Sequence, residues 1–122
     1  MSNRYENRSK YVPTLSSLAE TADHLKEVRK AELRVGDWVF VKTVKSLYRI
    51  HVLSNGLYEA SGGWFDKKGL SPIKTRIAGC TWGGSVIKVN IVAACGLSLE
   101  FGNRLITSTI QKIFVIRKED EN

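Results

Sequence analysis

The sequence predicts an α+β fold, in which one N-terminal amphipathic helix precedes a mainly antiparallel sheet of seven or eight strands. We expect this sheet to be strongly curved or to form a small, partly open barrel. Two observations lead to this prediction. The spacing of apolar residues changes near residue 33 from three or four positions to two, as expected where a helix gives way to strands. The later connections are of hairpin length, which favours antiparallel pairing.

The helix is predicted over residues 15–31. Ser17 and Glu20 form the S-x-x-E pattern of a capping box, which is typical of a helix start. The apolar residues that follow the helical spacing are Leu15, Leu18, Ala22, Leu25 and Val28. They would form a single stripe along one face of the helix.

The strands are predicted from alternating apolar and polar residues. The Asn55-Gly56 pair is a strong hairpin signal, because both central positions of a type I′ turn need a positive φ. The main segments predicted as strands are residues 38–44, 48–53, 57–60, 85–95 and 110–117.

Length and composition predict one domain over residues 14–117, within which the β-domain covers 33–117. Residues 1–13 are expected to form a flexible polar arm, and residues 118–122 an acidic tail. The N-terminus has no apolar segment typical of a secretory signal, and no run of about 18 apolar residues occurs. We therefore expect a cytoplasmic protein without a membrane partner, in which Cys80 and Cys95 are buried thiols.

The net charge of +7 is the compositional feature with a functional implication. Residues 31–117 hold 12 Lys and Arg against 5 Asp and Glu, so the excess lies in the β-domain. Two tryptophans, Trp64 and Trp82, each adjoin a Gly-Gly pair. If Lys74, Arg76 and Lys88 converge on these indoles, they form a basic face with aromatic platforms, as proteins use to bind nucleic acid. The predicted partner is therefore nucleic acid or an acidic protein.

No residue pattern in the chain is typical of catalysis. His24 and His51 are predicted on polar faces, and Glu100 is the one carboxylate between Ile73 and Ile116. Neither glycine pair fits a phosphate-binding loop, and the two cysteines lack a metal-ligand spacing. The sequence thus predicts no catalytic residue, no metal site and no cofactor, and it favours a non-enzymatic binding module.

Two further functions remain open. The helix or an edge strand could mediate homo-oligomerisation or docking to another protein. Alternatively, the Trp-Gly-Gly loops could bind a small molecule, since glycine permits close approach and tryptophan offers a flat apolar surface.

The C-terminal part of the chain resembles a family of small bacterial β-rich proteins. The resemblance rests on IAGCTWGGS at residues 77–85, Ile87-Lys88, LSLEF at 97–101 and TSTI at 107–110 followed by Ile113. These segments are similar to the family pattern GSTWGGS-x-IK, LEF and TS-x-I-x-x-I. The resemblance implies a bacterial β-rich domain and assigns no catalytic residue. Cys80 stands where the family has a small residue such as Ser, which argues against a required nucleophile there.

Overall fold

The computed structural model describes Thr14, residues 24–82 and residues 86–118. Within these residues, strands dominate. They are β1 (His24–Leu25), β2 (Glu27–Arg29), β3 (Trp38–Thr43), β4 (Leu47–Val52), β5 (Tyr58–Gly62), β6 (Ile73–Thr75), β7 (Ile77–Trp82), β8 (Val86–Lys88), β9 (Ile91–Ala94), β10 (Ser98–Phe101) and β11 (Ile110–Ile116). A 3-10 turn spans Lys30–Glu32, and the short helix α1 spans Gly63–Lys67.

The described strands form three sheets, and the predicted barrel is wrong. The largest sheet has the order β1-β11-β3-β4-β5-β6, the second β10-β7-β8 and the third β2-β9. Each pairing is antiparallel, which confirms that part of the prediction. The outer strands of the six-stranded sheet, β1 and β6, do not pair with each other, so the sheet stays open.

Over residues 24–31 the predicted helix is also wrong, and the described fold is mostly β rather than α+β. Residues 24–29 form β1 and β2, and the 3-10 turn follows. His24 pairs with Phe114 of β11, and Val28 pairs with Ala93 of β9. In this arrangement Val28 is buried and belongs to the main core. Residues 15–23, including the capping-box pair, lie outside the described residues, as do the predicted arm 1–13 and the end of the acidic tail.

The main core lies between the three sheets. Val39 and Ile50 contribute to it from the six-stranded sheet, Cys80 and Leu99 from the three-stranded sheet, and Val92 from β9. All five are fully buried. The core therefore holds the sheets together as one unit, since each sheet buries its inner face against the others.

The opposite face of the six-stranded sheet carries a second apolar cluster. Phe40 and Phe114 are directly opposite each other on β3 and β11, and both are almost fully buried. Trp38 stacks on Phe40, with ring centroids 5.9 Å apart. Because successive residues of a strand face opposite sides, β3 contributes Val39 and Val41 to the main core and Phe40 to this second cluster.

Candidate binding surface on the β7–β8 hairpin

Strands β7 and β8 form a hairpin that presents an exposed tryptophan. The pairing places Trp82 opposite Val86, Thr81 opposite Ile87, and Cys80 opposite Lys88. Paired residues project to the same face of a sheet, and successive residues alternate between faces. Trp82, Val86 and Lys88 therefore share the face of the hairpin on which Cys80 enters the core.

On this face Cys80 is buried in the core, whereas the residues closer to the end of the hairpin are exposed to solvent. Trp82 is 75% exposed and Val86 63% exposed, although both have large apolar side chains. Ile87 and Val89 are also exposed. Scattered apolar residues on a surface are normal, but Trp82 and Val86 are paired on one face of the hairpin and so form a continuous apolar surface, a feature found at binding sites.

An open cleft of about 570 Å³ lies beside this surface, lined by Glu27, Arg29 and residues 88–91. It contains two cations, Arg29 and Lys88, and one carboxylate, Glu27. The Nε of Arg29 lies 3.5 Å from a carboxylate oxygen of Glu27, and both side chains are well exposed. The cleft thus carries a net positive charge, and within the described residues Lys88 forms no salt bridge.

Cys80 anchors the hairpin to the core and is not a reactive thiol. Its Sγ lies 3.5 Å from the carbonyl oxygen of Val92 in β9 and makes a weak hydrogen bond to it. Burial raises the pKa of the Cys80 thiol to about 11. The thiolate needed for nucleophilic attack is therefore scarce at neutral pH, and Cys80 serves to pack β7 against β9.

Trp64, the other tryptophan beside a glycine pair, is a packing residue. It lies half-buried in α1, and its ring makes an edge contact with Phe65 at 5.7 Å between centroids. Its backbone N–H donates to the hydroxyl of Tyr48 at 3.2 Å. The Tyr48 ring occupies the position where Gly63 would carry a Cβ, so the space beside this glycine is filled by the protein itself.

The five residues predicted for the site do not come together: Trp64 lies in α1, and the other four are divided between the hairpin and the β6 end of the six-stranded sheet. Trp82 and Lys88 come together on the hairpin. Lys74 lies on β6 of the six-stranded sheet, opposite Glu59. Arg76 follows β6, and its guanidinium donates to the carbonyl oxygen of Asn55 at 3.2 Å.

Two residues of the surface were missed by the sequence reasoning. The sequence predicts Val86 within one long strand, residues 85–95, and Arg29 near the end of the helix 15–31. The alternation after the Gly83-Gly84 break was the available signal for Val86, because it puts Val86 and Lys88 on one face. No local signal placed Arg29 beside Lys88, since their proximity depends on the pairing of β2 with β9.

Two further pairs of titratable groups involve residues of the six-stranded sheet. His51 stacks on Trp38 with ring centroids 4.3 Å apart, and its Nδ1 lies 4.0 Å from a carboxylate oxygen of Glu59. Arg49 pairs with Asp66 at 3.6 Å. In the described part of the chain, no three His, Cys, Asp or Glu residues are grouped so that they could hold a metal ion.

No family model, curated protein or solved structure matches the chain. The resemblance to a bacterial β-rich family therefore stays a prediction. Among residues 24–82 and 86–118, no helix is long and apolar enough to cross a membrane.

Proposed function

We propose that the chain is a non-enzymatic binding module for an acidic partner, which it contacts through the β7–β8 hairpin. The observation that carries this proposal is the 75% exposed Trp82 on the same hairpin face as Lys88. On neighbouring antiparallel strands, such diagonal positions lie about 7–8 Å apart, so one ligand can contact both side chains.

The charge distribution supports an acidic partner. The chain has a net charge of +7, and Arg29 and Lys88 line the adjacent cleft. The buried carboxylate of Asp37 is bonded to Arg117, and Asp66 is paired with Arg49. Each of these two pairs has no net charge, so the excess positive charge of the chain is carried by its other cations, which include Arg29 and Lys88, and it favours association with an anion.

The proposal is tested with two simple polyanions, polyglutamate and an oligothymidylate, at low and at physiological ionic strength. Of the three tryptophans, Trp82 alone is highly exposed, so its fluorescence should report binding. We expect binding of at least one polyanion, weakened by salt. Trp82→Ala and Lys88→Glu should each weaken it about tenfold, which corresponds to about 1.4 kcal/mol; because Trp82→Ala removes the intrinsic reporter, the variants are compared by the fluorescence anisotropy of a dye-labelled polyanion.

Lys112→Glu is the matched control, because Lys112 is an exposed cation on β11 in a different sheet. This variant changes the net charge by the same amount as Lys88→Glu. If both reversals weaken binding equally, the interaction follows net charge alone and the hairpin is not the site. If neither polyanion binds at low ionic strength, the proposed function is wrong.

A further inference from the structure

We propose that the acidic partner is an extended peptide that adds a strand to the outer edge of β8, with acidic and apolar side chains in alternation. This inference rests on the proposed function and specifies its ligand. Three features of the hairpin lead to it: the unpaired edge, the alternation of side chains along β8, and the charge of the cleft.

The first feature is the edge itself. Among the described strands, β8 pairs only with β7, so one side of its backbone has no strand partner. All three of its residues are exposed. Proteins usually protect such edges with charges, prolines or bulges, and β8 carries only the charge of Lys88. An extended peptide can use the backbone N–H and C=O groups of such an edge, as in recognition by strand addition.

The second feature is the alternation of side chains along β8. Val86 and Lys88 project to the face beside the cleft, whereas Ile87 projects to the opposite face with Thr81. A strand added to β8 would place its own side chains alternately on these two faces. Carboxylates on the first face would approach Lys88 and Arg29, and apolar side chains on the second would cover Ile87. The edge thus fits a peptide in which acidic and apolar residues alternate.

The third feature is the charge, which argues for an acidic peptide rather than a second copy of this chain. Each chain has a net charge of +7, so pairing two hairpins would bring two positive surfaces together. The cleft offers Arg29 and Lys88 but no carboxylate beyond Glu27, which already lies next to Arg29. An acidic strand supplies the missing negative charge, and a second copy does not.

The test uses synthetic peptides and measures both affinity and backbone protection. The probe peptide alternates valine and glutamate. One control has the same composition in two blocks, and a second alternates valine and lysine. We expect the alternating acidic peptide to bind at least about tenfold more tightly than either control, by fluorescence anisotropy. Hydrogen exchange should slow at the amides of Val86–Lys88, because strand addition engages backbone groups.

Charge reversal on β8 provides the specificity test. Lys88→Glu should weaken binding of the valine–glutamate peptide and strengthen binding of the valine–lysine peptide. The Lys112→Glu control should leave the affinity for both peptides unchanged. Equal binding of the alternating and block peptides would contradict strand addition, as would unchanged exchange at the β8 amides.

The polyanion measurements distinguish failure of this inference from failure of the proposed function. If the oligothymidylate binds through Trp82 and Lys88 but the peptide does not, the partner is a nucleic acid and the peptide inference is overturned. If neither polyanion binds and the peptide does not bind, both proposals fail. A concentration-dependent dimer mass by light scattering, together with protection of the β8 amides and no binding of the acidic peptide, would instead assign the edge to a second copy.

Discussion

Asp37 shows how one buried carboxylate can join distant parts of the chain. Its side chain accepts hydrogen bonds from the backbone N–H groups of Arg34 at 2.9 Å and Lys118 at 3.0 Å. The guanidinium of Arg117 donates to it at 3.1 Å. The turn before β3 is thereby fastened to the segment after β11. Because every bond comes from a donor aimed at the anion, a neutral side chain cannot replace it fully.

This geometry predicts that Asp37→Asn destabilises the protein by about 1–3 kcal/mol at neutral pH. Burial alone would raise the pKa of Asp37, but the hydrogen bonds from Lys118, Arg34 and Arg117 outweigh it and lower the pKa below its ordinary value. The folded-state pKa therefore lies below the unfolded value of about 3.9, so this stabilisation is present above about pH 4–5. It is lost as the pH falls through the folded-state pKa.

Urea unfolding at neutral and acidic pH measures both effects. The Asp37→Asn variant should lose less stability than the wild type between neutral pH and about pH 3, because its side chain does not titrate. Glu100→Gln serves as the control, since it removes a carboxylate on β10 outside this network. An unchanged acid dependence in Asp37→Asn would show that Asp37 is not coupled to folding.

The two tryptophans beside glycine pairs show what local sequence can and cannot predict about the site. Both were expected to be aromatic platforms, and the sequence around them is similar. Trp82 is highly exposed, whereas Trp64 is packed beside Phe65. The difference arises because Tyr48 on β4 reaches Gly63 and the backbone of Trp64. That contact joins β4 to α1, two elements separated in sequence, so the residues next to Trp64 do not encode it.

The elements predicted best are those whose pattern and turn chemistry agree. The segments predicted as 48–53 and 110–117 correspond to β4 and β11 within one residue at each end. Asn55 and Gly56 have φ values of 60° and 74°, which confirms the predicted pair of positive φ angles in the β4–β5 turn. In the β4–β5 hairpin, the alternation of apolar residues and the turn residues predict the same structure.

Other elements were mispredicted because tertiary pairing outweighed the local pattern. The spacing of Leu25 and Val28 fits a helical stripe, but in the structure Leu25 belongs to β1 and Val28 to β2. Their partners on β11 and β9 are distant in sequence, so the local pattern does not reveal them. The predicted strand 85–95 divides into β8 and β9, with a turn at Val89-Asn90. All four residues of β9 are buried, so its two faces carry no polar alternation that could mark its start.

Two glycines flank α1, Gly62 before it and Gly69 after it, and their surroundings predict different costs for similar substitutions. Gly62 has a φ of 94°, and a Cβ there would overlap the carbonyl oxygen of Leu47. Gly69 has a φ of 69° and nothing within 4 Å of its Cβ position. We expect Gly69→Ala to cost about 1–2 kcal/mol, from backbone conformation alone.

Gly62→Ala should cost clearly more than Gly69→Ala, because the strained φ is combined with a backbone clash. Chemical denaturation of both variants gives the comparison directly. Equal losses of unfolding free energy would show that the chain relaxes around the added Cβ of Gly62→Ala.

At the level of the whole molecule, the sequence did not predict the division into three sheets. The antiparallel pairing follows from short connections, but which strands lie side by side depends on contacts such as that of Cys80 with Val92. The chain passes from β6 at one edge of the large sheet into β7 of the second sheet. Strand count and turn signals do not distinguish this arrangement from a curved barrel.

The buried thiol of Cys80 provides a measure of whole-molecule opening. A Cys95→Ser variant leaves Cys80 as the single thiol. Because Cys80 is fully buried and burial raises its pKa to about 11, we expect almost no reaction with a thiol reagent in the folded protein. The rate should rise in proportion to the unfolded fraction when denaturant is added. Rapid labelling without denaturant would contradict the packing of β7 against β9.

The position of β11 has a consequence for how the protein is made. This strand, formed by residues 110–116, lies between β1 and β3 in the interior of the largest sheet. During synthesis it is the last of the described strands to leave the ribosome. Until then β3 has a partner only on the side of β4, and Phe40 lacks Phe114 opposite it. The six-stranded sheet therefore cannot join β1 to β3 until β11 has been synthesised, and the nascent chain exposes an apolar strand edge up to that moment.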